Sequence, residues 1–327
     1  MKNFRQLAAA AAIALGTTLA CGAAWAQADW APSKPVRIVV PIVGSTNDVL
    51  ARIVAPKLQE VFGQPFVVEN KGGAGGNIGA LDVVRSAPDG HTLLVGYNGP
   101  LAINVTLFDK MPFDPTKDLA PITLAVKAPQ YLVVNPATGI TSVQDFIAKA
   151  KANPGKYSYG SVSMGSASHL TMEMMKSAAG FRMTHIPYRG AGPAVADLVA
   201  GNVQAGFFVP GNVQGFVKEG KLKLLATSGH KRFPSTPDIP TLSESGLKDF
   251  EATSWIGFLA PAGTPAHIVN RYNQEMVKIL NSPEVKARLV EMEFDVVASS
   301  PKQFSDWIRT EITRWGQVIK DTGAKAE

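Results

Sequence analysis

Beyond residue 21 this chain has no cysteine; Cys21 is the only one among its 327 residues. A disulfide frame, a thiol nucleophile and a cysteine-based metal site are therefore excluded for everything downstream. Charge is also sparse, at 18% of residues. Of the 32 basic residues two, Lys2 and Arg5, fall in the first 26 positions, which hold no acid. That leaves 30 basic against 26 acidic residues and no Lys/Arg stripe. A nucleic-acid surface is not expected. Long apolar runs are missing too. The longest spans Leu7 to Leu19, 13 residues, short of the roughly 20 a membrane helix needs.

Catalytic motifs are absent in the same way. None of the five histidines sits in a His-Glu-x-x-His pair, which excludes a zincin-type site. No Gly-x-Ser-x-Gly elbow occurs. Gly160 to Ser166 has P-loop glycine spacing but puts Ser166 where Lys is needed. In Gly73-Ala74-Gly75-Gly76-Asn77-Ile78-Gly79, Ile78 stands where a dinucleotide loop needs its third glycine. No metal and no cofactor are expected.

What is present begins with an export signal. Lys2 and Arg5 precede the apolar run, and Ala24-Trp25-Ala26 follows as a small-x-small cleavage site. Cleavage after Ala26 is expected, with a periplasmic product. Thr18-Leu19-Ala20 before Cys21 lacks the usual aliphatic residue of a lipidation site.

The rest alternates strand and helix. Pro35 to Pro41 is a β-branched strand, and the apolar positions 50, 53, 54 and 58 mark a helix. Strands at 66–70 and 92–96 with a helix between them predict a parallel α/β sheet. A second α/β unit is read over 129–230. The tail predicts a strand at 255–260 and helices over 266–281, 283–291 and 301–322. Trp307 and Trp315 are expected on one core-facing stripe.

Turns rich in Gly, Ser, Thr and Asn recur between a strand and a helix, at 44–47, 72–77, 161–168 and 188–192. Helix N-termini carry unpaired N–H groups and partial positive charge. Glycine lets a ligand approach the backbone. Two such turns in each unit predict a cleft that binds a carboxylate without Lys or Arg.

On these motifs the chain resembles the periplasmic solute-binding proteins of tripartite tricarboxylate transporters, the Bug (Bordetella uptake gene) family. The matching segments include Val39-Val40-Pro41, Val68-Glu69-Asn70-Lys71-Gly72-Gly73 through Gly79, Ala87-Pro88-Asp89-Gly90, His185-Ile186-Pro187-Tyr188-Arg189-Gly190, and Leu259-Ala260-Pro261-Ala262-Gly263-Thr264-Pro265. The resemblance implies a type II periplasmic binding protein. Its two α/β domains, 27–128 with 231–327 and 129–230, would enclose a ligand cleft behind a signal peptide at 1–26. It implies a monomer that takes a small carboxylate, performs no catalysis and delivers its load to membrane transporter subunits. A ligand-sensing accessory to a receptor kinase and a secreted hydrolase are the alternatives.

The expected ligand-binding residues are Gly44, Ser45, Thr46, Asn47, Gly75, Gly76, Asn77, Tyr97, Asn98, Ser166, Ser168, His169, Arg189, Gly190 and Phe208. Asp48 is expected as the N-terminal cap of its helix or as a partner of the helix dipole, rather than of the ligand. Two departures from the family pattern stand out. The first turn, Pro41 to Asp48, is one residue short and has one glycine. Phe208 occupies the place where many members carry Asp. An aromatic or longer aliphatic acid, terephthalate among them, is therefore expected over an amino acid, unless Phe208 simply points into the core.

Overall fold

The computed structural model describes residues 30–229, 231–233 and 236–325. The signal peptide expected over 1–26 lies outside the described residues.

β1 (Val36–Val40), α1 (Thr46–Phe62), β2 (Phe66–Asn70), α2 (Asn77–Val84) and β3 (Thr92–Tyr97) follow the predicted alternation. β1 is buried on both faces except at Arg37, which reaches Glu69 and Asp82 at 2.9 and 2.8 Å. β3 leads through one turn of π-helix, Gly99–Ile103, into the short α3 (Asn104–Leu107). β4 (Leu119–Pro129) and β5 (Tyr131–Val134) come next. α4 (Val143–Ala152), β6 (Ser158–Ser161), α5 (Ala167–Ala179), β7 (Thr184–Pro187), α6 (Ala191–Ala200), β8 (Ala205–Phe208), α7 (Pro210–Lys218) and β9 (Lys223–Thr227) continue the alternation. The tail adds β10 (Thr253–Pro261), α8 (Ala266–Asn281), α9 (Pro283–Glu291), β11 (Asp295–Val296) and α10 (Pro301–Thr322).

These strands form two sheets, ordered β11-β4-β10-β3-β1-β2 and β7-β6-β8-β5-β9. The expectation of a parallel sheet holds for β1, β2 and β3 only. β10 returns from the tail and inserts antiparallel between β3 and β4. In the second sheet β6 runs parallel to β7 and β8, whereas β5 is antiparallel to both its neighbours. Both sheets are mixed. Two mixed α/β sheets are the architecture that the family resemblance implies.

β4 is the strand the residue pattern conceals. Pro121 and Pro129 interrupt its sequence and read as breakers. Pro121 is tolerated because β11 pairs only with Val126 and Lys127, which leaves that end of β4 without a second neighbour. Register shifts along β10 absorb the remaining mismatch. α7 is concealed similarly. Its opening Pro210-Gly211-Asn212 reads as a turn, yet proline fits the first helical position.

The chain passes between the sheets at Gln130, the single residue between β4 and β5. It returns through residues 228–252. Ser228 meets Gln130 there: the Gln130 N–H donates to Ser228 Oγ at 2.8 Å, and the Ser228 N–H donates to the Gln130 carbonyl at 2.8 Å. A continuous apolar core runs from Leu94 and Trp255 to Leu132 and Leu170. α10 contributes Phe304, Ile308, Trp315 and Ile319 to it. Trp307 packs against the same core, at the edge of that stripe. Eight residues on a helix rotate a side chain by about 80° relative to the first. Trp307 is consequently only partly buried, beneath Lys127 Nζ, 3.1 Å from its ring centroid.

Candidate functional site

Three helix N-termini line one inner cavity of about 50 Å³. α1 brings Ser45, Thr46 and Asn47; α5 brings Ser166, Ala167 and Ser168; α7 brings Val209 and Asn212. α1 and α7 have no side-chain cap on their first-turn N–H groups. The Ser45 hydroxyl instead donates to the Ile42 carbonyl at 3.0 Å. Only α5 is capped, with Ser166 Oγ accepting from the His169 N–H at 3.3 Å. Each terminus carries roughly half a positive charge. No charged side chain lines this cavity among the described residues. The arrangement attracts an anion through backbone N–H groups, hydroxyls and amides.

The wall between these termini is apolar. Phe208, Trp255, Phe294, Ile42 and Val162 supply it. Phe208 is both wall and core, at 1% exposure, with Tyr131 and Val133 behind it. Trp255 is fixed by its indole N–H, which donates to Glu311 at 2.8 Å. Asn98 lines the cavity with both ends of its amide engaged on β10. It donates to the Thr253 carbonyl at 3.1 Å and accepts from the Trp255 N–H at 3.0 Å.

A larger outer cavity of about 600 Å³ adjoins the inner one through Ile42 and Val162, which line both. Turns from both sheets enclose it: 41–43 and 72–76 from the first, 162–164 and 187–190 from the second. Arg189 is the one charged side chain in its lining among the described residues and is exposed. Tyr188 is committed to Asp197 at 2.6 Å. Burial and that carboxylate push its phenol up to about 12.

The predicted residues thus divide. Ser45, Thr46, Asn47, Tyr97, Asn98, Ser166, Ser168 and Phe208 meet at the inner cavity. Gly75, Gly76, Arg189 and Gly190 line the outer one. Three do not line either cavity. Gly44 only turns the chain, with φ +60°. Asn77 accepts from Asn104 Nδ2 at 2.7 Å and braces the glycine turn from behind. His169 is turned away from the cavities and stacks on His185, ring centroids 3.9 Å apart. Burial holds these imidazoles well below the usual histidine range, at about 4 for His169 and about 3 for His185. Asp48 is not the cap of its helix, a place that Ser45 holds; it lies in the first turn, where a carboxylate suits the dipole, and accepts from Arg52 at 3.1 Å and Asn70 at 2.9 Å.

The glycine turn is held by side chains from beyond the first sheet's early turns. Tyr97 donates its hydroxyl to the Gly75 carbonyl at 2.8 Å, and Asn104 donates to the same carbonyl at 3.0 Å. Burial raises the Tyr97 phenol far above its usual value and keeps it a donor. Asn104, Gln130, Asn212 and Trp255 escaped sequence reasoning. The first three are isolated amides with no motif around them. Trp255 begins a strand and reads as ordinary core. Position after a predicted strand end, which selected Tyr97 and Asn98, could not select Gln130 because β4 itself was concealed.

Comparison with known proteins gives the following. A family model described as "Tripartite tricarboxylate transporter family receptor" matches residues 50–324. Protein BugT of Bordetella pertussis is 36% identical over 305 residues, 93% of this chain and 94% of that protein. Among solved structures, the R. palustris protein Rpa4515 with adipate superposes with a TM-score of 0.87 at 34% identity, covering 89% of this chain and 98% of that one. MatC from Rhodopseudomonas palustris with bound malate gives 0.84 at 31% identity, covering 88% and 99%.

Proposed function

The chain belongs to the tripartite tricarboxylate transporter receptor family, and we propose that it captures a small organic carboxylate in the cavity beneath its three converging helix N-termini. That convergence is the observation that carries the reading. A carboxylate there would meet oriented N–H groups and no opposing charge. The adipate and malate of the two structural relatives support the ligand class.

In this reading residues 27–128 with 231–327 and residues 129–230 are two domains that close on the acid. The leader 1–26 directs the chain to the periplasm and is removed after Ala26. The receptor works as a monomer and passes its acid to membrane subunits of the transporter. It catalyses nothing. No helix among the described residues is long and apolar enough to cross a membrane.

The finer proposal concerns the body of the acid. Its carboxylate sits at Ser45, Thr46, Asn47, Ser166 and Ser168. Its carbon skeleton runs past Phe208 and Trp255 toward the outer cavity, where Arg189 meets a second carboxylate if one is present. Aromatic faces of this kind favour an aromatic acid such as terephthalate over an amino acid.

Thermal unfolding of the purified protein against terephthalate, benzoate, nicotinate, adipate, malate, citrate, glutamate and aspartate tests this. An acid at 100 times its Kd adds about 2.7 kcal/mol of stability. Stabilisation by an aromatic acid above all others is expected. An aliphatic acid ranking first would retain the receptor and remove the aromatic preference. A flat panel, with no acid released from the denatured protein in mass spectrometry, would overturn the reading.

A further inference from the structure

Gln130 occupies an unusual position. It is the only residue between the two sheets on the outward crossing, and its backbone is paired on both sides with Ser228 of the return crossing. Its side chain, 1% exposed, forms part of the inner cavity wall. The amide nitrogen donates to Thr171 Oγ1 of α5 at 2.6 Å. The amide oxygen is buried and has no hydrogen-bond partner among the described residues.

A buried polar atom left in this state has lost its water and gained nothing in return, which destabilises the cavity wall until a partner arrives. Rotating the amide does not remove the cost, because one end always faces Thr171 and the other is left without a partner. A threonine hydroxyl both donates and accepts. The rotated amide therefore keeps its tether, with the oxygen accepting from Thr171, and leaves its NH2 as the unpartnered end of a residue that lines the cavity. Asn47 on α1, which lines the same cavity, also carries a buried amide nitrogen without a partner. Two unsatisfied amides, one on α1 and one on the crossing, thus lie in the wall of a cavity that no charged side chain lines.

We propose that Gln130 is a specificity-determining residue that reads the bound acid: its side-chain NH2, oriented by Thr171, donates to a ligand carboxylate opposite Asn47. The inference rests on the cavity being the carboxylate site. It adds a residue that accepts a carboxylate where a carboxylate of its own would repel one. A glutamate at 130 keeps the shape of the wall, removes the donor and adds like charge. A methionine keeps the length and removes the donor alone.

The test is titration calorimetry of wild type, Gln130→Met and Gln130→Glu with adipate, malate and terephthalate at pH 7.5 and pH 5, beside the melting temperature of each protein without acid. Gln130→Met is expected to bind about tenfold more weakly, the loss of one hydrogen bond to a charged group. Gln130→Glu is expected to lose at least a hundredfold at pH 7.5. Relative to wild type it should recover at least tenfold of that at pH 5, as the glutamate takes up a proton. A purely structural role would not produce that pH-dependent recovery. Both variants binding within threefold of wild type, or Gln130→Glu showing no recovery, would overturn the inference. Should neither variant fold, the side-chain NH2 resonances of Gln130 in wild type must shift when the acid is added, and an unmoved pair overturns it. Wild type binding none of the three acids removes the inference together with the acid-binding reading it rests on, whereas wild type binding with indifferent variants removes the inference alone.

Discussion

The Glu311 carboxylate accepts the Trp255 indole N–H at 2.8 Å. Its same oxygen accepts the Trp315 indole N–H at 2.9 Å. One residue of the C-terminal helix therefore fixes both a wall of the inner cavity and the centre of the core. Glu311 is fully buried, and Arg314 one turn on reaches its other oxygen at 3.3 Å.

Replacing Glu311 by Gln removes the charge from four donors at once, Trp255, Trp315, Arg314 and Asn98, and leaves the amide NH2 without an acceptor. A loss of about 2–4 kcal/mol is expected, because hydrogen bonds to a buried charged acceptor are worth more than neutral ones. Urea unfolding measures it. Tryptophan fluorescence of the folded variant should also change, since both indoles lose their anchor.

Gly190 holds φ +124°, and a Cβ there would stand 2.7 Å from the Val43 carbonyl oxygen on the turn of the other sheet. Gly220 holds φ +69° with nothing within 4 Å. Alanine at 220 should cost only the backbone strain, about 1 kcal/mol. Alanine at 190 should cost more and should also weaken acid binding by tenfold or more, because it wedges apart two turns of the outer cavity. Calorimetric affinity beside melting temperature separates the two effects. Equal affinity in both variants would show that the turns need not meet.

Phe208 supplies the aromatic wall. Phe208→Leu keeps an apolar wall and removes the ring. Affinity for terephthalate should fall by about tenfold, while affinity for adipate should change by less than threefold. A parallel loss for both acids would mean that Phe208 acts through the core it shares with Tyr131 and Val133.

The His169–His185 stack predicts an acid-sensitive fold. Their folded-state values of about 4 and about 3 lie below the ordinary 6.5. Between those limits the unfolded chain binds protons that the folded one refuses. Stability contributed by the pair is therefore complete above pH 6.5 and is lost as pH falls toward 4 and below. His185→Phe should flatten that slope in urea unfolding between pH 7 and pH 4. An unchanged slope would assign the acid sensitivity to carboxylates.

The predicted tail helices begin and end where the structure puts them, because their apolar stripes are regular and each start is marked by Pro or Ser. β1 to β3 were legible for the same reason, with β-branched runs set off by glycine turns. β4 and α7 were not, because Pro121, Pro129 and Pro210-Gly211 are local breakers whose tolerance depends on a bulged partner strand or on a first-turn position. His169 shows a further limit. It sits in the first turn of α5, beside the expected polar turn, yet a helix period does not say that its ring will stack on His185 instead of facing a ligand.

The sequence by itself determined the strand and helix order from β1 to β3, the polar turns at helix starts and the absence of cysteine chemistry. Each depends on residues within a few positions of one another. Only the tertiary structure decided that α1, α5 and α7 aim at one point, that β10 returns between β3 and β4, and that Gln130 and Asn47 are left unsatisfied beside the same cavity. Those outcomes join residues far apart in the chain. They are set by which faces can be buried together, which no local pattern encodes.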